Sequence, residues 1–331
     1  MKEKQIVLVS RPDGAPDLSH FRFEEISIPS LKEGEVLLTP LFFSVDPYLR
    51  GRMNDRESYI APFQIGKPIE GSVVAKVKES KFPGLKQGDK VVGMLPWATA
   101  FIAEGKNLLP VATDEFPDSY YLGILGYPGF TSYFGVMDIL KPEAGETVVI
   151  SGAAGAVGVV AGQIAKNLGA RVVGIAGSDQ KAALLKNEFG FDEVINYHTS
   201  ALDAEIRKAC PNGIDAYFDN VGAEISDAVF GQMNRNGRVA VCGQIALYNL
   251  KEPPTGPRIL PVVLSKTLLV KGFLIRSYAS RFPEAFQYIS KLIREGKIKH
   301  QETVIEGFDR LPDAFLGLFK GSNTGKMVVK I

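Results

Sequence analysis

Thr147-Val148-Val149-Ile150-Ser151-Gly152-Ala153-Ala154-Gly155-Ala156-Val157-Gly158 is the stretch whose reading decides the fold. A β-branched run feeds glycines at every third position, and a helical pattern follows at once from Val159 to Leu168. Strand, glycine turn and helix in that order leave bare backbone N–H groups at a helix N-terminus, where a pyrophosphate can sit. The spacing is G-x-x-G-x-x-G instead of the commoner G-x-G-x-x-G. Gly155 can let the chain turn and approach phosphate without a Cβ, and Gly158 lets the helix pack closely on its strand. The alternative is a Gly/Ala-rich turn that binds nothing, and the surrounding sequence weighs against it.

Downstream, apolar strands alternate with helical patterns. The strands are Thr147–Ser151, Arg171–Ala176, Glu193–Asn196, Asp215–Asp219, Arg238–Cys242 and Leu269–Ile275. Helices are predicted near Phe130–Ile139, Val157–Leu168, Gln180–Glu188, Ala201–Ala209, Glu224–Met233 and Arg281–Glu295. Strands separated by helices in this number predict an α/β fold with a doubly wound parallel sheet of the Rossmann type. Upstream the texture differs. Short extended runs such as Glu35–Leu41, Gly71–Val77 and Lys90–Met94 are broken by Gly and Pro, which predicts a β-rich, barrel-like unit. The last 35 residues return to strand texture and end in Gly325-Lys326-Met327-Val328-Val329-Lys330-Ile331. Residues 1–125 plus 297–331 are therefore expected to form one domain, with a nucleotide-binding domain of residues 126–296 inserted.

Bulk properties agree with an ordinary soluble globular protein. The 331 residues suffice for two domains, and 45% hydrophobic with 23% charged content is unexceptional. With 38 basic against 37 acidic residues, no field draws the chain to nucleic acid or anionic lipid. No apolar run approaches the roughly 20 residues that span a bilayer, and the start reads as a first strand, not a signal peptide. Two cysteines, Cys210 and Cys242, provide no disulfide framework and suit a reducing cytoplasm.

The second strand end indicates which dinucleotide. NAD sites carry an acidic residue about 20 positions beyond the glycine turn, accepting from the ribose hydroxyls. Here that place is Ala176-Gly177-Ser178, without a carboxylate that would repel a 2′-phosphate. Lys181 follows within one turn and supplies a cation. Asp179 could be a displaced ribose acceptor, but Ser178 or Asp179 also suits the N-cap of the next helix. NADP is the expected cofactor.

Six separated blocks carry a resemblance along essentially the whole chain. They are Val45-Asp46-Pro47-Tyr48-Leu49-Arg50, Leu125–Gly135, Ala153–Gly158, Gly177–Lys181, Tyr217–Gly222 and Gly321–Lys326. In these the sequence resembles the zinc-independent medium-chain dehydrogenase/reductases, and among them the NADP-dependent alkenal double-bond and prostaglandin reductases. The resemblance implies a GroES-like β-rich substrate domain around the Rossmann domain. It implies that Gly155, Ala156, Val157 and Gly158 hold the pyrophosphate, and that Lys181, Ser178 and Tyr197 hold the 2′-phosphate end. Asn220 would lie near the nicotinamide, and the loop Cys242-Gly243-Gln244-Ile245-Ala246-Leu247-Tyr248 would wrap the nicotinamide ribose. The backbone of Phe273-Leu274-Ile275 would meet the nicotinamide amide, and Asn323 would make the last cofactor contact. It also implies a homodimer through an edge strand, for which Leu268–Phe273 is apolar enough. Tyr127 and Ser132 depart from the Met and Ala common in this family, at positions expected to flank the substrate cleft.

Metal chemistry lacks its ligands. Cys210, Cys242, His20, His198 and His300 are scattered with no paired spacing, so neither a catalytic nor a structural zinc site is expected. Reduction of a polarised C=C needs no Lewis acid. Hydride delivered to the β-carbon of an enone gathers charge on the carbonyl oxygen, which needs a hydrogen-bond donor, and the α-carbon needs a proton. Tyrosine suits both tasks. Tyr248, just beyond a strand end, is the first candidate, the alternative being an aromatic that stacks on the cofactor. Tyr48 could face the substrate or pack at the domain junction, and Tyr59 and Tyr278 rank below them. Arg50 and Arg52 could bind an acidic substrate tail or could simply be solvated, and Cys242 reads as a small buried residue. The expected activity is NADPH-dependent reduction of a small conjugated carbonyl. A quinone reductase or a non-catalytic NADPH-binding protein are the competing readings.

Overall fold

The computed structural model describes residues 2–111, 115–198 and 201–331. In chain order the first strands and helix are β1 (Glu3–Leu8), β2 (Phe21–Ile26), β3 (Glu35–Ser44), α1 (Leu49–Arg52), β4 (Glu70–Ser80), β5 (Lys90–Pro96), β6 (Phe101–Glu104) and β7 (Leu109–Pro110). Then follow α2 (Tyr127–Phe134), β8 (Thr147–Ser151), α3 (Ala156–Asn167), β9 (Arg171–Ala176), α4 (Asp179–Phe189), β10 (Glu193–Asn196), α5 (Leu202–Ala209) and β11 (Ile214–Asp219). The chain ends with α6 (Ala223–Gln232), β12 (Met233–Val241), α7 (Leu260–Ser265), β13 (Leu269–Gly272), α8 (Phe282–Arg294), β14 (Glu302–Glu306), α9 (Leu311–Leu318) and β15 (Lys326–Lys330).

These elements sort into two compact units. One comprises Met1–Gly123, Thr303–Asn323 and Met327–Ile331, and the other Ile124–Glu302 with Thr324–Lys326. The first is built on an antiparallel sheet in the order β14-β15-β3-β4-β5-β7, with β6 also paired to β3, and β1 and β2 form a separate antiparallel pair. Among the described residues this ladder ends at β14 and β7 and does not close into a hydrogen-bonded ring. The register of β3 on β4 slips at Leu37/Leu38 and at Pro40/Phe42. Pro40 has no N–H to donate, and proline is tolerated in a strand at such irregularities. The apolar faces enclose Trp97, Phe43, Leu49, Met53 and Phe315.

The second unit holds the parallel sheet, in the order β10-β9-β8-β11-β12-β13. Numbered within the sheet, this is the doubly wound order 3-2-1-4-5-6, as the alternation of strands and helices predicts. Every residue of β8 is buried, the pattern of a parallel strand covered on both faces. The topological switch point lies between β8 and β11, so their C-terminal ends, Ser151 and Asp219-Asn220, are where this fold receives ligands.

Several local expectations change. The helix expected at Phe130–Ile139 begins at Tyr127 with Pro128 in its first turn, and passes into a π-helical segment at Gly135–Leu140. Gly135 permits this packing, because a Cβ there would fall 2.3 Å from the Phe218 ring. The strand expected to reach Ile275 stops at Gly272, and a 3₁₀ segment runs from Ile275 to Arg281. Two helices depart from the expected pattern: α7 is only six residues long and none of it is buried, and α9 interrupts the C-terminal strand texture, starting at Leu311-Pro312 and burying Leu311, Ala314, Phe315 and Leu318 on one face.

Candidate functional site

The glycine turn ends β8 and opens α3. Gly152 adopts φ +58°, the left-handed region, whereas Gly155 is extended at φ −85° and ψ 174°. The residue that turns the chain is thus Gly152, correcting the role expected of Gly155. Gly155 is the N-cap of α3 and offers no side-chain acceptor, so the N–H groups of Ala156, Val157 and Gly158 face outward from the positive end of the helix. A Cβ on Gly158 would fall 2.4 Å from the Gly152 carbonyl oxygen and 2.7 Å from Ala153 Cα. Only glycine lets α3 sit this close to the turn. Gly325 donates its N–H to the Ala154 carbonyl at 2.7 Å, drawing the Thr324–Lys326 segment onto the turn. Asn323, the residue expected to make the last cofactor contact, immediately precedes that segment and is half-buried.

At the end of β9, Gly177 leaves the place of an acidic ribose acceptor empty. The Tyr197 hydroxyl lies 3.2 Å from where a Gly177 Cβ would be, and its ring packs 4.1 Å from that of His198. Ser178 is the N-cap of α4, its hydroxyl accepting from Lys181 N–H at 3.2 Å. Asp179 accepts instead from the Asn196 side chain at 2.9 Å, which gives that carboxylate a structural partner. Lys181 is half-buried, and burial pulls its ammonium pKa below the usual lysine value. The structure therefore gathers Ser178, Lys181 and Tyr197 around one strand end.

At the switch point stands a residue the sequence reading did not single out. Asp219 is 2% exposed and accepts from Ser151 Oγ at 3.1 Å, Tyr217 Oη at 2.9 Å, and the Val221 and Gly222 N–H groups at 3.0 and 2.9 Å. Its second oxygen accepts from Ser226 Oγ at 2.7 Å and Gln244 Nε2 at 2.8 Å. A buried carboxylate demands such saturation. Its signal in the sequence was an acid closing the apolar run Ala216-Tyr217-Phe218. Burial and the neighbouring carboxylate hold the Tyr217 hydroxyl well above its ordinary pKa, so it stays a donor. Asn220 donates its N–H to Ser151 Oγ and its side-chain amide to the Ser151 carbonyl, both at 2.9 Å, tying the ends of β8 and β11 together.

The loop after β12 packs over that network. Cys242 and Gly243 donate their N–H groups to the Asp219 carbonyl at 2.9 and 3.0 Å, and Tyr248 folds back so that its hydroxyl accepts from Gln244 N–H at 3.3 Å. Burial pushes the Cys242 thiol up to about 12, as expected of a side chain that packs and does not attack. Phe273 packs edge-on against Phe218 at 6.3 Å, while Leu274 is exposed and Ile275 begins the 3₁₀ segment. In the other unit, Tyr48 is half-buried against the core, its hydroxyl 3.8 Å from the Met94 sulfur.

Other candidates leave the site. Arg50 is 2% exposed and donates to the Gly14 carbonyl and the Asn54 side chain at 2.7 and 2.6 Å. Arg52 donates to the Ala61 carbonyl at 3.0 Å and lies 4.0 Å over the Phe63 ring. Both fasten the chain around them, and neither is solvated. Ser132 is fully buried within α2, its hydroxyl 2.9 Å from the Pro128 and Val157 carbonyls, so it braces α3 and does not line a cleft. Tyr278 stacks on Phe134 at 4.4 Å. Among the described residues no three His, Cys, Asp or Glu side chains converge as metal ligands.

A doubly wound sheet with an uncapped helix N-terminus at the end of its first strand defines the class of dinucleotide-binding proteins. The family described as the N-terminal domain of oxidoreductase matches residues 4–111, and that described as zinc-binding dehydrogenase matches residues 156–291. The chain is 40% identical to an NADPH-dependent curcumin reductase of Escherichia coli (strain K12), over 100% of this chain and 97% of that protein. It is 44% identical to prostaglandin reductase 1 of Sus scrofa, over 96% of this chain and 95% of the other. Its fold superposes on CurA from Vibrio vulnificus in complex with NADPH with a TM-score of 0.95 at 39% identity, covering 99% and 98% of the two chains. The chain belongs to the zinc-independent alkenal and prostaglandin reductase family of medium-chain dehydrogenase/reductases.

Proposed function

We propose that this protein is an NADPH-dependent reductase of the C=C bond of α,β-unsaturated aldehydes and ketones. The observation that carries the reading is the α3 N-terminus, where Gly158 admits no Cβ and the first turn has no side-chain cap. This cradle suits a pyrophosphate, and Gly177 with Lys181 suits a 2′-phosphate. Ala156, Val157 and Gly158 would bind the pyrophosphate through their N–H groups, Ser178, Lys181 and Tyr197 the phosphorylated ribose, and Asn220, Cys242, Gly243, Phe273, Leu274 and Ile275 the nicotinamide half, with Asn323 making the last cofactor contact. When bound, NADPH supplies the hydride that adds to the substrate β-carbon. The chain's own part is to hold the reactants, exclude water and meet the charge that develops on the carbonyl oxygen with a hydrogen-bond donor. Tyr248 is the first choice for that donor and for the proton delivered to the α-carbon, with Tyr48 second.

The reading is tested by NADPH consumption with 3-nonen-2-one, 2-alkenals and a simple quinone, with product analysis. A saturated ketone from the enone supports it. Turnover of the quinone alone replaces it with a quinone reductase, and binding of NADPH without turnover replaces it with a non-catalytic protein. Full kcat in Tyr248→Phe would remove that hydroxyl from the chemistry.

The same reading extends to assembly and location. Edge strand β13 leaves Leu269 54% exposed and α7 leaves Leu264 81% exposed, a surface suited to pairing with a second copy. Light scattering should return a homodimer, and Val270→Lys on that edge should shift it to monomer. No described helix is long and apolar enough to cross a membrane. A protein with both cysteines free, acting on a small molecule with a reduced nicotinamide, fits the cytoplasm.

A further inference from the structure

We infer that Asp219 is a positioning residue for the reductase reaction, acting through Gln244 to hold the loop that carries Tyr248. The inference rests on the reading above, in which that loop covers the nicotinamide half of the cofactor. The six groups that donate to this carboxylate divide in two. Tyr217 and Ser226 belong to the packed interior of the unit, both buried. Ser151, Val221, Gly222 and Gln244 belong to the ends of strands and to loops at the switch point. Asp219 therefore converts the rigid sheet into a fixed geometry for three separate segments. These are the end of β8, the Asn220-Val221-Gly222 turn, and the Cys242–Tyr248 loop.

The contact with Gln244 is the selective one. Gln244 is half-buried in a loop, and its Nε2 reaches Asp219 at 2.8 Å while its backbone N–H reaches the Tyr248 hydroxyl at 3.3 Å. One residue thus joins the buried carboxylate to the candidate proton donor. A Cβ on Gly222 would fall 2.1 Å from Gln244 Oε1, so the Gln244 side chain would have to leave its present position. Gly222 also holds φ +77°, which other residues seldom adopt. Further backbone bonds, from Ala246 N–H to Val221 O at 3.1 Å and from Ile245 N–H to Asn220 O at 3.4 Å, stitch the loop to the same turn. Asp219 is 2% exposed, and both its oxygens are taken up by donors of the chain itself. Its effect is on the loop, in the way that groups behind a ligand orient it.

The test uses the full-length protein and two readouts, the NADPH dissociation constant by fluorescence and kcat with 3-nonen-2-one. Gln244→Ala cuts the tie while leaving the other five donors on Asp219. It should weaken NADPH binding and lower kcat, each about tenfold, with little change in melting temperature. Val229→Ala, a cavity in the same core cluster away from the loop, should lower the melting temperature and leave both readouts within about twofold. Asp219→Asn turns an acceptor oxygen into a donor facing Gln244 and should lose more than Gln244→Ala, while D219N/Q244E restores one donor and one acceptor across the contact and should recover part of the loss. Wild-type NADPH affinity and kcat in Gln244→Ala would overturn the inference, as would losses that track melting temperature alike in Gln244→Ala and Val229→Ala. If the wild-type protein itself does not reduce the enone, the functional reading fails, and the NADPH dissociation constants still decide whether Gln244 positions the loop.

Discussion

A Cβ on Gly158 would lie 2.4 Å from the carbonyl oxygen of Gly152, and the atom it would strike is backbone, which cannot swing aside. Gly158→Ala must therefore push the first turn of α3 away from the end of β8. The expected result is NADPH binding weakened at least about tenfold, together with a lower melting temperature. A fluorescence titration and a thermal melt measure both. Wild-type affinity would mean that the first turn of α3 does not hold the cofactor.

Lys181→Ala removes the half-buried cation in the first turn of α4 without disturbing its own N–H bond to Ser178. NADPH binding should fall by about ten- to a hundredfold while NADH binding changes little, because only the 2′-phosphate loses a charged partner. The ratio of kcat/KM for the two cofactors is the measurement. An unchanged ratio would place the 2′-phosphate elsewhere.

Arg52 donates to the Ala61 carbonyl and to Glu70 at 3.2 Å and covers the Phe63 ring, so it fastens the loop that follows α1. Arg52→Ala should destabilise the protein by about 1–2 kcal/mol, because the buried Phe63 ring loses the guanidinium and side-chain stem packed over it. Activity per folded molecule should stay near wild type even with a substrate bearing a carboxylate. A selective rise in KM for such a substrate would restore a substrate role to the residue.

Burial holds both Cys210 and Cys242 as thiols, each pushed from 9.0 up to about 12. A folded-state pKa raised above the unfolded value contributes stability that is complete below the unfolded pKa. That contribution is lost as pH rises through the folded one, here between about 9 and about 12. The melting temperature should therefore decline as pH is raised from about 9 to about 11, and Cys210→Ala should flatten the decline. At about pH 8, iodoacetamide should leave Cys210 unlabelled in the native protein and label it after unfolding in guanidinium. Rapid labelling of Cys210 in the native protein would contradict its burial.

The parallel sheet was readable because short β-branched runs such as Thr147–Ser151 alternate with helical patterns, and that alternation survives without tertiary information. The end of β13 was not readable, since Phe273-Leu274 continues an apolar run whose last hydrogen-bonded residue is chosen by β12 beside it. Among site residues, Gly158 was legible from spacing, as glycine next to a strand end has few other reasons. The opposite fate of Arg50 and Arg52 was not, because a charged residue near a turn reads as solvated until its partners at Gly14, Ala61 and Glu70 are brought to it.

By itself the sequence determined that a strand, a glycine turn and a helix follow one another from Thr147 to Asn167. That followed from local rules: β-branched residues favour strands, and glycine alone tolerates the turn. It also determined that no acidic side chain stands at Ala176-Gly177-Ser178, at the end of the second strand of the sheet. Only the tertiary structure decided that Gly152, and not Gly155, takes the left-handed conformation, and that Ser132 is a brace for α3. It alone placed Asp219 where six donors from β8, β11, the turn after it, α6 and the Gln244 loop converge. The physical reason is common to these cases. A buried polar group or a strained dihedral takes its meaning from partners distant in the chain, and those are fixed by packing.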